Sequence, residues 1–194
     1  MPGYINVDVV PLPGVQVIVN LDDPDPKVIV DLFEAQGVKR GSVTHIEGIH
    51  FFEHVANHMA LMEALWLLAG LDCTLHFATP HGSSDDAFED PTHVRPIFPG
   101  TYEYYSQPTY WRADYGFTAD WQVDEVEIVV DRAIADMDPD ALSNLVEHYR
   151  NMVGELNVYM HVVKPQRKPD RNLQVAPIYT VRAAGTERLD AQAD

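Results

Sequence analysis

Thr44-His45-Ile46-Glu47-Gly48-Ile49-His50-Phe51-Phe52-Glu53-His54-Val55-Ala56-Asn57-His58 is the stretch whose reading sets the fold of this chain. It opens on a capping-box pattern, Thr44-x-x-Glu47, and then repeats histidine every fourth residue. On a helix, residues four apart share a face, so His50, His54 and His58 would form one stripe. The apolar residues Phe51, Phe52, Val55, Met59, Leu61, Met62, Leu65, Trp66 and Leu68 cover much of the remaining circumference, and Gly70 supplies a stop. The pattern predicts a helix from the capping box through Leu68, with Gly48 in its first turn, where glycine costs less than in a helix interior.

Outward from this segment, Val15 to Asn20 reads as a buried strand behind Pro11, Pro13 and Gly14. A helix follows, capped by Asp23 or Asp25, with a proline in its first turn and Gly37 at its end. Leu71 to Ala78 alternates, placing Leu71, Cys73, Leu75 and Phe77 on one face of a strand. Residues 79–122 carry no clear period and hold many prolines, aromatics and acids, the mark of a long functional or oligomeric loop. Val123 to Asp131 is a strand, Asp138-Pro139 opens a helix, and Leu156 to Val163 and Leu173 to Arg182 are further strands. Val15-Gln-Val-Ile-Val-Asn and Val126-Glu-Ile-Val-Val-Asp, each ahead of Asp-Pro-Asp and a helix, give a faint internal echo. The expected architecture is α+β: a two-layer sandwich with a mostly antiparallel sheet and helices on one face. Residues 1–185 form its single domain, and 186–194 a flexible tail.

Composition narrows the function. With 194 residues the chain can bury a substantial core, and its 46% hydrophobic content excludes disorder. Val55 to Ala69 is broken by Asn57, His58 and Glu63, so no run spans a bilayer, and no signal peptide is evident at Met1–Asp8. One cysteine, Cys73, excludes a disulfide framework and makes the cytoplasm the expected location. A net charge of −17 repels phosphate backbones and anionic membranes. The expected partners are a small-molecule substrate and further copies of the chain, with neither nucleic acid nor membrane. The acidity is equally consistent with a salty habitat or with solubility alone.

The histidine pair suggests a metal. Imidazoles one helical turn apart can close on one divalent ion, with zinc the first choice and iron the second. His50 and His54 are the expected ligands. His58 would stand about 12 Å from His50 along the helix axis, so it is assigned to substrate or supporting contacts. Candidates for a third ligand are His45, Glu47, His76, His81, Asp85, Asp86 and His93, with His76 on the following strand preferred.

Gly48-Ile49-His50-x-x-Glu53-His54 resembles the zinc helix of S-ribosylhomocysteine lyases, and His-x-x-Glu-His is similar to the motif of pitrilysin-type metallopeptidases. The likeness covers about seven of 194 residues. It implies that His50 and His54 are ligands and that Glu53 is a general base; from its own position Glu47 is the alternative base or an additional ligand. The aromatic loop, with Tyr105, Trp111 and the cation Arg112, supplies candidate substrate contacts or an oligomer interface. The expectation is a zinc- or iron-dependent hydrolase, lyase or isomerase of a small organic molecule. The rival is a non-catalytic protein that self-assembles or binds a ligand through the aromatic loop.

Overall fold

The computed structural model describes residues 4–186, so residues 1–3 and all but the first residue of the expected 186–194 tail lie outside the description. Two short strands, β1 (Val7–Asp8) and β2 (Val17–Ile18), pair in parallel as a small sheet of their own. Helix α1 (Pro26–Ala35) follows as its residues dictate: the Asp25 side chain accepts from the Lys27 amide, Pro26 needs no amide bond in the first turn, and Gly37 turns the chain at φ 92°. Its inner face, Ile29, Val30 and Phe33, packs with Val17 and Val19 and with Ala64 and Leu68. Full burial of each large side chain stabilises by about 1.5–3 kcal/mol.

The chain from 43 to 68 is not one helix. Val43–Ile49 is strand β3, Phe52–His54 is a single 3-10 turn, and only His58–Leu68 is helical, as α2. The expected stripe of histidines therefore does not exist. The reason is tertiary. Val43, Thr44, Ile46 and Ile49 are β-branched residues that favour a pleated surface. They find a parallel partner in β4 (Ala69–Pro80), with Ile46 opposite Leu75 and Gly48 opposite Phe77. A side chain on Gly48 would run into the Phe51 ring and come within 2.9 Å of Phe77. His50 then turns left-handed, at φ 49°, and ends the strand.

After β4 come a short helix, α3 (Asp86–Glu89), and two 3-10 segments, Pro99–Tyr105 and Gln107–Trp111. Then follow β5 (Trp121–Val130), α4 (Pro139–His148), β6 (Val153–Val162) and β7 (Ile178–Ala183). Asp138 caps α4 by accepting from the amides of Asp140 and Ala141. The main sheet has the order β3-β4-β6-β5-β7. Its pairings are two parallel (β3 with β4, β5 with β7) and two antiparallel (β4 and β5 with β6). The α+β class holds, but the sheet is mixed rather than mostly antiparallel. Four strands run one way, and β6 runs against them. The two halves of the sequence echo part company here, since β2 lies in the small sheet and β5 in the large one.

One face of the sheet is apolar. Cys73, Leu75 and Phe77 join Leu156, Val158 and Met160 in a core shared with Leu61, Met62 and Leu65 of α2 and Leu142 of α4. The aromatic loop belongs largely to this core: Tyr102, Tyr105, Tyr110, Phe117 and Trp121 are buried in it, leaving Tyr104, Trp111 and Tyr115 exposed. A fully buried carboxylate fixes the loop. Asp120 accepts from the Gln107 amide and from the guanidinium and backbone amide of Arg167, whose fork also reaches Ser106 and Gln122. The other face is polar, and carries His45, Glu47, His76, Asn157, Glu125 and Glu127 along neighbouring strands.

Candidate active site

Because β3, β4, β5 and β7 point the same way, their carboxyl ends lie together, next to the start of the reversed strand β6. Open sheets of this kind bind ligands beyond those ends. Two adjoining hollows lie there. The larger, about 510 Å³, is bordered by Val130, Asp131, Gly154, Glu155, Arg182 and Gly185 among others. The smaller, about 400 Å³, is bordered by His50, Glu53, His54, Asp86, Glu89, Asp90 and His93 with Pro80. His50, Pro80 and Asp86 border both, making one continuous cleft.

Glu53 is the centre of the smaller hollow. The 3-10 turn that replaces the expected helix buries it to 2% exposure. Neither carboxylate oxygen has a hydrogen-bond partner among the described residues. His50 Nδ1 lies 3.6 Å and His93 Nε2 3.8 Å from Glu53 Oε1, beyond hydrogen-bond reach. A buried, unsatisfied carboxylate is costly, and such a group is uncommon outside functional positions.

The surrounding histidines are oriented by fixed acceptors. His54 Nδ1 lies 3.3 Å from the Thr92 carbonyl and 3.0 Å from the Thr92 hydroxyl. A carbonyl only accepts, and the hydroxyl gives its own proton to Asp90, 2.6 Å away, so His54 carries its proton on Nδ1 and keeps the lone pair on Nε2. His50 Nε2 donates to Glu155, 3.1 Å away. In the neutral ring that leaves a lone pair on Nδ1, the atom nearest Glu53. The hydroxyl and amide of Thr92 hold the Asp90 carboxyl below its ordinary value. The Val94 amide bonds the Glu53 carbonyl at 2.9 Å and so anchors His93 beside the turn. Ligand atoms of Glu53, His54 and His93 all lie within 4.8 Å of one another, a spacing that a metal ion could bridge.

From Glu155 a run of hydrogen bonds leads away from the cleft onto the polar sheet face. Asn157 Nδ2 donates to Glu155 at 2.9 Å, and Asn157 Oδ1 accepts from His76 Nε2 at 2.9 Å. His76 also stacks on Tyr159 with ring centroids 4.5 Å apart, and its Nδ1 lies 3.6 Å from Glu47.

Of the residues singled out in the sequence, His50, Glu53 and His54 come together. Glu47 and His76 are on the polar sheet face and border neither hollow. His58 is in the core: it stacks on Phe52 at 3.9 Å and donates from Nε2 to the Phe52 carbonyl at 2.8 Å, and burial lowers its pKa to about 4. Tyr105 is a core ring, packed edge-on to Phe52. Trp111 lies under the guanidinium groups of Arg112 and Arg171. None of these last three sequence candidates (Tyr105, Trp111, Arg112) borders either hollow. His93 was one of several loop candidates for a third ligand. Asp90 belongs to the acidic run Asp85, Asp86, Glu89 and Asp90, which reads in the sequence as a solvated turn, and Thr92 and Glu155 carried no sequence signal beyond the Asp90-x-Thr92 turn, in which Asp90 accepts from the Thr92 amide.

No family model and no curated protein matches the chain. A solved structure described as a SAM-dependent methyltransferase from Archaeoglobus fulgidus shares the architecture, with a TM-score of 0.50 and 12% identity over 81% of this chain and 75% of that one. At that identity the likeness is one of fold. It nonetheless corrects the expectation of a zinc- or iron-dependent hydrolase or lyase with a divalent ion as cofactor, because the enzyme that shares the fold transfers methyl groups and depends on SAM. The non-catalytic alternative gains nothing from the comparison. Among the described residues, no helix is long and apolar enough to cross a membrane.

Proposed function

We propose that this chain is an acid–base enzyme that transfers a methyl group to a small molecule bound in the cleft, with Glu53 as proton acceptor. The observation that carries the proposal is the Glu53 carboxylate, buried, without a hydrogen-bond partner and bordering the smaller hollow. The reaction class comes from the fold likeness.

The donor fits the larger hollow by charge and by space. SAM is a sulfonium cation with an ammonium group and a ribose diol. Asp131 and Glu155 border the hollow, and its guanidinium, Arg182, is already bonded to Glu127 and lies 3.7 Å from Glu155. At Gly154 an added side chain would meet nothing nearer than the Val129 carbonyl at 4.0 Å, so the floor there is open. Asp131 and Glu155 would hold the ammonium or hydroxyl groups. When bound, the donor supplies an electrophilic methyl carbon.

The chain's own contribution is proton chemistry. Glu53 accepts the proton that the acceptor's heteroatom loses as it is alkylated. His50 is held towards Glu155 and positions the acceptor between the two hollows. Protein titrated with SAM should show saturable heat, and labelled methyl should appear on small N–H or O–H acceptors. Glu53→Gln should bind SAM as wild type does but lower turnover by about 10²–10⁴-fold. Absence of SAM binding at millimolar concentration would overturn the proposal.

A further inference from the structure

We propose that the smaller hollow recognises a protonated amine. The proposal rests on this cleft being the substrate site, and it names the class of molecule that site takes.

Four carboxylates border the hollow, Glu53, Asp86, Glu89 and Asp90, together with three histidines and no lysine or arginine. Such a set rejects anions. Acidic surroundings alone would mean little, but Glu53 adds an independent demand. It is 2% exposed and both its oxygens lack donors. Two of the three histidines around it turn a lone pair inward in their neutral form, and the third, His93, stands 3.8 Å away through Nε2, beyond hydrogen-bond reach. In the neutral ring His50 gives its one N–H to Glu155, and Nδ1 is then an acceptor 3.6 Å from Glu53 Oε1. His54 gives its N–H to Thr92, which leaves Nε2 as an acceptor. A buried carboxylate flanked by such acceptors, with no donor within hydrogen-bond reach, calls for a group that only donates.

An ammonium has that character: three N–H donors, no acceptor, and a positive charge. A planar guanidinium prefers paired, coplanar carboxylate oxygens, whereas these acceptors come from separate segments around a small volume. A hydroxyl would satisfy one acceptor and leave the charge of Glu53 uncompensated.

The test uses the intact protein and three molecules of matched size: n-propylamine, 1-propanol and propionate, each titrated by calorimetry without SAM. The amine should bind at least tenfold more tightly than the alcohol, and propionate should not bind. Glu53→Gln should weaken the amine tenfold or more. Asp90→Asn, a change at the surface, should weaken it less and without loss of fold by circular dichroism. Equal binding of amine and alcohol, or amine binding untouched in Glu53→Gln, would overturn the inference. So would stoichiometric zinc uptake that propylamine does not reduce. Amine binding without methyl transfer from SAM would sink the methyl-transfer reading and leave this inference standing. Methyl transfer to an alcohol with no amine binding would do the reverse.

Discussion

Asp120 and Glu53 are both carboxylates withdrawn from water, at 0% and 2% exposure, yet they live in opposite circumstances. Asp120 is saturated: it accepts from the Gln107 amide and from three nitrogens of Arg167. The Glu53 carboxylate has no hydrogen-bond donor among the described residues. Desolvation penalises both. At Asp120 the chain supplies the compensation itself, and the aromatic loop is the product. At Glu53 it does not, and under the proposed function the bound substrate does. Burial alone therefore does not separate a structural carboxylate from a reactive one, whereas the bonding state of its oxygens does.

Opposite responses to substitution would sharpen that contrast. Asp120→Ala leaves the Arg167 charge without its partner, and denaturant titration should show a loss of about 3–5 kcal/mol. His58 offers an intermediate case, a buried ionisable group held neutral. Its pKa falls from 6.5 to about 4 because burial disfavours the charged ring. Between those values the unfolded chain binds more protons than the folded one, so stability is complete above pH 6.5 and is lost as pH falls towards 4. Wild type should lose about 3 kcal/mol more than His58→Asn between pH 7 and pH 4. The smallest effect has the opposite sign: Glu53→Leu should raise stability by about 1–3 kcal/mol while removing turnover. A large loss of stability in Glu53→Leu would break the comparison, since it would mean that Glu53 is as structural as Asp120.

Much of the fold could be read in advance where the signals are local. Asp25-Pro26 and Asp138-Pro139 start helices because a cap and a proline act within one turn. The alternation in 71–78 marks β4 because one of its faces is buried, although Leu71 itself is exposed. The segment 44–57 misleads because its capping box and fourth-residue histidines are local signals too, and they are overruled by pairing with β4 and by the packing of Phe51 and Phe77 over Gly48. His50, Glu53 and His54 were found through a helix that does not form. They reach one place through a turn instead. His93 could not be singled out, since its approach to Glu53 depends on one long-range bond, from Val94 to the Glu53 carbonyl. The cleft itself depends on strand directions, which no spacing in the sequence encodes.

The run from His50 through Glu155 and Asn157 to His76 has a built-in direction. Asn157 cannot exchange the ends of its amide, because Glu155 only accepts and the His76 N–H only donates to it. His76 thus keeps its Nε2 proton whether the ring is neutral or charged, and any added proton lands on Nδ1, beside Glu47. Asn157 acts as an insulator: a proton gained or lost on the outer face of the sheet does not change which hydrogen bonds Glu155 presents to the cleft.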